Sequence, residues 1–114
     1  MKDKRKIMIL NLDYVPGYEI VESLGLVRAN VVQSKHIGKD IVAGLKNLVG
    51  GELHEYTEML AESREIALSR MERKAMDRGA DAVINVRFMT SAITQQAAEI
   101  MAYGTAVKLK KKTK

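Results

Sequence analysis

The chain has 114 residues with 46% hydrophobic side chains, so it is long enough to form one domain with a core. It has no cysteine, which excludes a disulfide, a thiolate metal ligand and a cysteine nucleophile. No apolar run approaches the roughly 20 residues of a transmembrane helix or the length of a signal peptide, and the sequence therefore predicts a cytoplasmic protein. The net charge of +5 lies in two end segments, because residues 1–6 hold four basic side chains and residues 108–114 hold five. The predicted organisation is a flexible basic N-terminus over residues 1–5, a single domain over residues 6–108 and a flexible lysine-rich tail over residues 109–114.

The first two predicted elements are strands separated by a turn. Residues 6–12 have the pattern of a short buried strand, and the valine- and isoleucine-rich residues 19–33 predict a long strand with a bend or bulge at Gly25. Between them, Pro16 and Gly17 predict a tight turn, because proline presets φ at one turn position and glycine accepts a positive φ at the next.

Two helices are predicted after these strands. Asp40 is a suitable N-cap for a short helix over residues 41–48, and a long uninterrupted helix is predicted over residues 50–79, with Gly79 as its left-handed terminal residue. The long helix would measure about 40 Å, more than the width of about 35 Å expected for a compact domain, so part of its surface should face another molecule. Apolar side chains would form a stripe along one side of it: Leu53, Tyr56, Leu60, Ala67, Met71 and Ala75. Basic side chains follow the glutamates in its second half, as the helix dipole favours: Arg70, Arg73, Lys74 and Arg78.

Two further strands are predicted, over residues 82–90 and 95–109. In the first, Asn85 and Arg87 should lie on the wetter face, opposite Ala82, Ile84, Val86 and Phe88. The last strand is apolar on both faces, which predicts that the helix covers one face and another subunit the other. Ala102 and Gly104 are expected where a neighbouring element comes close to the backbone. The order β-β-α-α-β-β predicts an α+β fold with an antiparallel sheet.

Candidate metal ligands are few. His54 and Glu58 stand four residues apart on the long helix, and His36 and Asp40 share a polar segment, but no third ligand at a fixed spacing accompanies either pair. The commoner interpretation is a surface histidine on the helix and a loop histidine bonded to backbone. No serine–histidine–acid arrangement or catalytic carboxylate pair is recognisable, so the sequence does not indicate an enzyme.

Three arginines are candidates for a different role. Arg28 and Arg87 lie inside strand patterns, and Arg64 lies among glutamates. Half-buried arginines need partners, and the carboxylates of Glu62, Glu65 and Glu99 could form an ion-pair network or an interface with them. The alternative is that two of the arginines bind a carboxylate or phosphate ligand. Nucleic acid is a weak candidate partner, because the basic charge is confined to the ends and the chain has one phenylalanine, four tyrosines and no tryptophan for base stacking.

Several segments resemble the YbjQ-like family. The most specific are Pro-Gly-Tyr-Glu-Ile-Val-Glu-Ser-Leu-Gly-Leu-Val-Arg at residues 16–28 and Val-Gly-Gly-Glu-Leu-His-Glu-Tyr-Thr-Glu-Met-Leu-Ala-Glu-Ser-Arg-Glu at residues 49–65. Shorter matches lie at residues 36–47, 79–83, 86–88 and 102–106. The resemblance spans about residues 6–108 and implies an α+β fold and a ring-like homo-oligomer, most simply a pentamer. The heavy-metal label of the family implies paired cysteines, which this chain lacks, so no ligand position or catalytic residue is carried over.

The combined prediction is a small cytoplasmic homo-oligomeric ring that acts as an interaction or structural module, with no cofactor identified. One alternative is metal or small-anion binding at subunit boundaries through His36, Asp40, Arg28 or Arg64. A second alternative is association with nucleic acid through the basic ends.

Overall fold

The computed structural model describes residues 6–34, 51–94 and 97–113, with backbone alone at residues 34, 51–56, 93 and 94. The elements, in chain order, are β1 (Met8–Ile9), β2 (Tyr18–Ser34), α1 (Gly51–Asp77), β3 (Ala82–Thr94) and β4 (Ala97–Lys111). The strands form a single sheet in the order β1-β3-β4-β2, and α1 packs on one face of it. The α+β class is therefore confirmed, whereas the predicted helix over residues 41–48 lies outside the described residues.

The prediction of a wholly antiparallel sheet was wrong, because the sheet is mixed. β2 and β3 each run antiparallel to β4, but β1 runs parallel to β3, with Met8 opposite Ala82. The reason is that β1 and β2 lie at opposite edges of the sheet, so the chain between them must cross the sheet and cannot form a hairpin. The predicted Pro16-Gly17 turn ends this crossing, and the amide of Tyr18 donates to the carbonyl of Val15 at 3.0 Å.

α1 follows the prediction closely. It extends over 27 residues, or about 40 Å, and Gly79 follows it in the left-handed region with φ of 81°. Ala67, Met71 and Ala75 are fully buried against the sheet, as the apolar stripe predicts. Ser63 continues the buried stripe one turn earlier, and its hydroxyl donates to the carbonyl of Met59 at 2.9 Å, so the buried oxygen is satisfied.

The core consists of two clusters on opposite faces of the sheet. The larger cluster lies under α1 and includes Val27, Ile100 and Ala102. The smaller cluster lies on the other face, where the crossing chain places Val15 against Ala82, Ile84 and Val107. The crossing segment therefore covers one end of the face that α1 leaves open.

A β-bulge in β3 changes the predicted alternation of side chains. Between the pairs Ile84–Thr105 and Arg87–Tyr103, two residues of β3 stand opposite the single residue Gly104. As a result Val83 and Val86 both face α1, whereas Ile84 joins the cluster on the opposite face. The prediction that Ile84 and Val86 share a face was therefore wrong, because a strict period of two cannot continue through an extra residue.

Asn85 occupies the bulge with φ of 54°, and its amide donates to the carbonyl of Leu12 at 2.8 Å. A β-branched residue fits this left-handed conformation poorly, whereas glycine accepts it without strain. We expect Asn85→Val to lower the free energy of unfolding by about 1–2 kcal/mol and Asn85→Gly to change it by less than about 0.5 kcal/mol. Urea unfolding of the two variants measures both values. Equal stability of the valine and glycine variants would contradict a strained bulge.

The two long strands β2 and β4 pair along their whole length, from Tyr18 opposite Lys111 to Ser34 opposite Ala97. The register shifts between Ser23 and Gly25, and Gly25 has φ of 90°, which confirms the predicted bulge. The last strand ends two residues later than predicted, because its lysines pair across the sheet. Opposite charges face each other there at Glu19–Lys110 and Glu22–Lys108.

Candidate functional site

Among the residues that the structure describes, the sheet face opposite α1 is largely uncovered and partly apolar, and we call it the open face. On β2, the residues that alternate with the buried Val27, Ala29 and Val31 point to this face. Two of them are aliphatic, and Leu26 and Val32 are each 58% exposed. The exposed Met89 of β3 continues this surface. So do four half-buried side chains of β4: Glu99, Met101, Tyr103 and Thr105. Large apolar side chains in such positions mark an interaction surface.

The polar groups of the open face interact in a different way from the predicted ion-pair network. The carboxylate of Glu99 accepts a hydrogen bond from the side-chain amide of Asn30 at 2.8 Å, so its partner is not an arginine. Arg87 donates through Nη1 to the carbonyls of Asn11, at 3.3 Å, and Val86, at 3.0 Å. These contacts stabilise the bulge and the crossing segment, and they indicate a structural role for Arg87.

Basic residues of α1 cover the outer edge of β2. Arg70 donates to the carbonyl of Asn30 at 3.1 Å, and Lys74 donates to that of Arg28 at 2.9 Å. Arg78 donates to the carbonyls of Leu26 at 2.7 Å and Leu24 at 3.4 Å. Every second carbonyl of this edge from Leu24 to Asn30 is thus bonded to a helix side chain. Bonded in this way, the edge is a poor template for another strand.

The opposite edge of the sheet is different. β1 pairs with only the first residues of β3, and β3 continues beyond this pairing to Thr94. Beside this edge lies an apolar groove of about 680 Å³, which we call the edge groove. Its lining comes from the β1 segment, α1 and β3: Ile9, Leu10, Asn11, Leu12, Leu68, Val86, Arg87 and Phe88. The described part of the chain therefore presents two separate apolar surfaces, the open face and the edge groove.

The predicted ligand-binding residues do not form one site within the described chain. Arg28 lies on the open face of β2, whereas the half-buried Arg64 belongs to α1 on the other side of the sheet. His36 and Asp40 lie outside the described residues. Binding by these four residues across a subunit boundary stays a prediction.

The residues that the structure describes do not fit a heavy-metal site. In those ranges no three histidine, cysteine, aspartate or glutamate side chains lie close enough together to bind an ion. The soft thiolate ligands that such metals prefer are missing from the whole sequence, which has no cysteine. Glu58 lies exposed on α1, and the side chain of its candidate partner His54 lies outside the described part.

The row of basic residues along α1 is the feature that the sequence interpretation missed. Its signal is the spacing of four residues between Arg70, Lys74 and Arg78, which places all three on one side of a helix. The sequence interpretation explains the order of these charges by the helix dipole alone. Attraction to the dipole does not distinguish one side of the helix from another, so the contact with β2 could not be inferred from it.

The fold and its exposed surfaces define a small α+β protein with a four-stranded mixed sheet, one covered face and one face available for contact. The described helical residues contain no apolar stretch of the length that a transmembrane helix needs. The chain belongs to the YbjQ-like family, described as "putative heavy-metal-binding", whose family model matches residues 7–110.

Close relatives support this membership. A UPF0145 protein of Fervidobacterium nodosum is 59% identical over 105 residues, which is 92% of this chain and 97% of the relative. A UPF0145 protein of Psychromonas ingrahamii is 60% identical over 97 residues, covering 85% of this chain and 92% of the relative. A solved structure from Pediococcus pentosaceus, a DUF74-family protein of unknown function, has a TM-score of 0.64 and 17% identity, with coverage of 91% of this chain and 98% of that chain. That structural likeness shows the fold alone.

Proposed function

We propose that the chain assembles with copies of itself into a closed ring and acts as an interaction or structural module rather than an enzyme. The observation that carries the proposal is the open face, where aliphatic side chains are more than half exposed on a sheet whose opposite face holds the larger core cluster under α1. A pentamer is the ring size that the family resemblance implies. The predicted cytoplasmic location belongs to the same proposal.

The shape of the chain supports assembly. Its radius of gyration is 17.7 Å, whereas a compact domain of this length has a value of about 13 Å. It measures 59 × 29 × 22 Å, so one dimension is at least twice each of the others. An elongated chain buries less of its own surface, and contact with neighbouring copies would bury more.

The two apolar surfaces also fit a ring. A dimer with two-fold symmetry uses the same surface on both copies, whereas a ring uses two different surfaces that meet head to tail. The open face and the edge groove lie on different parts of the sheet, and each is apolar. In this proposal the open face of one copy contacts the edge groove of the next.

Native mass spectrometry of the untagged protein tests the assembly, and a closed oligomer is expected. Two variants test the two surfaces separately. Leu26→Glu combined with Val32→Glu places charge on the open face, and Phe88→Glu places charge in the edge groove. Each variant alone should be monomeric, because each loses one half of every contact. Their mixture should form a dimer and nothing larger, because only one intact pair of surfaces remains.

The control is Ala61→Glu, which adds a negative charge, as Phe88→Glu does, at an exposed position of α1 and should keep the native oligomer. A monomeric wild-type protein would overturn the proposal. If the Phe88→Glu variant kept the wild-type oligomer, the ring would not use the edge groove, and a contact between two open faces would replace the head-to-tail arrangement.

A further inference from the structure

The second half of α1 carries an unneutralised row of positive charge. Arg70, Arg73 and Lys74 lie in its last turns and Arg78 directly follows it, and within the described chain none of the four contacts a carboxylate. Like charges on successive helical turns repel one another. Carbonyl dipoles of β2 offset part of this repulsion at three of the four residues, but they carry no net charge. The row therefore attracts an anion.

Part of this row lines a groove between α1 and β2, which we call the basic groove. The groove has a volume of about 520 Å³, within the range of about 300–1,000 Å³ of small-molecule sites. Its lining residues come from both elements: Ala29, Asn30, Ser69, Arg70, Arg73 and Lys74. Among these six described residues, three are cationic and none is acidic.

We propose that the basic groove binds the phosphoryl group of a small molecule. Arg73 makes no hydrogen bond to any described residue, so its guanidinium can bind two oxygens of an oxyanion side by side. Ser69 precedes it by one turn on the same side of α1 and supplies a neutral hydroxyl donor. Arg73 is thus the binding residue, and no described contact of the fold depends on its charge.

Arg70 and Lys74 complete the site on the side of the groove next to β2. Each has one donor engaged with a carbonyl of β2, at 3.1 Å and 2.9 Å respectively, and each retains further N–H groups. The bonds to β2 hold both side chains in place before a ligand arrives. Less side-chain freedom is then lost on binding, which favours affinity.

The charge of the groove favours a phosphoryl group over a carboxylate. A phosphomonoester carries about −1.5 to −2 charges near neutral pH and three acceptor oxygens, whereas a carboxylate carries a single charge. Three cationic side chains around one groove match the larger charge and the larger number of acceptors. The groove volume leaves room for an organic group beside the phosphate.

Calorimetric titration of the full chain at constant ionic strength tests the proposal, with pyrophosphate, inorganic phosphate and glycerol phosphate as probes. We expect saturable binding of at least one probe with one site per chain. Arg73→Ala should weaken this binding by about tenfold or more, because a charge-assisted hydrogen-bond pair is lost. Arg78→Ala removes the same charge from the residue that follows α1, outside the basic groove, and the affinity of this variant should stay within about twofold of wild type.

Asp77→Asn provides a test in the opposite direction. Asp77 follows Arg73 by four residues and does not line the groove, so removing its negative charge should tighten binding without altering a contact. The proposal is overturned if none of the three probes binds saturably, or if Arg73→Ala and Arg78→Ala weaken binding equally. An oligonucleotide that binds and that pyrophosphate does not displace would also overturn it, in favour of a nucleic-acid surface. These outcomes do not depend on the ring, because every lining residue belongs to one chain.

Discussion

Gly104→Val is expected to lower the midpoint of thermal unfolding by at least about 10 °C, and it is the most damaging single change we expect in the sheet. A Cβ atom at position 104 would lie 2.7 Å from Cγ1 of Val83, 2.8 Å from the carbonyl oxygen of Ile84 and 3.1 Å from Cγ2 of Val86. The backbone oxygen cannot move without breaking the pairing of β3 with β4. The cost should reach about 3 kcal/mol or more, which for a domain of this size corresponds to that shift.

Two variants isolate the cause of this effect. Gly104→Ala adds only the Cβ atom, so it should already show a substantial part of the loss. Thr105→Val changes the next residue of β4, which is half-buried on the open face, and should alter stability by less than about 1 kcal/mol. Thermal unfolding followed by circular dichroism measures all three. A Gly104→Val protein as stable as wild type would show that β3 does not form the bulge opposite this residue.

The expectation that Gly104 lies at a close approach could be made from the sequence, but its cause could not. A small residue in an apolar strand indicates that a neighbouring element approaches the backbone of the strand closely. Only the structure shows that this neighbour is the bulge at Asn85, because a bulge depends on the register of two strands that pair from different parts of the chain. The same limit explains why Ile84 and Val86 were placed on one face.

Local patterns predicted most of the remaining fold correctly. The length of α1, the turn at Pro16-Gly17 and the alternating burial of β4 follow from glycine, proline and apolar spacing over a few residues. The parallel pairing of β1 could not be predicted in this way, since a two-residue strand has too little pattern to reveal its neighbour. Strand order is a long-range property of the sheet.

The candidate surfaces were predicted less well than the fold. Apolar residues on both faces of β4 correctly indicated a surface beyond the one that α1 covers. The basic groove was missed because it combines α1 with the edge of β2, and a sequence does not show which strand edge a helix crosses. Arg28 and Arg64, which were considered together for their charge, lie on opposite sides of the sheet for the same reason.

Met71→Ala is expected to lower the free energy of unfolding by about 2–5 kcal/mol, the largest effect that we expect in α1. Met71 is fully buried and is among the largest of the fully buried side chains. Its neighbours along the buried stripe, Ala67 and Ala75, bring the helix close to the sheet but cannot fill the space that the shortened side chain leaves. The void should therefore persist, and its lining would lose packing contacts.

The substitution separates tertiary packing from helix propensity. Alanine has a slightly higher helix propensity than methionine, so the intrinsic stability of α1 should rise while that of the protein falls. Met71→Leu keeps most of the volume and should cost less than about 1.5 kcal/mol. Urea unfolding of both variants measures the difference, and equal stability would show that α1 does not depend on this contact.

Because Met71 faces the sheet from the side opposite the open face, the folded Met71→Ala protein should keep the wild-type oligomer in native mass spectrometry. Dissociation without unfolding would instead mean that the packing of α1 shapes the contact between copies.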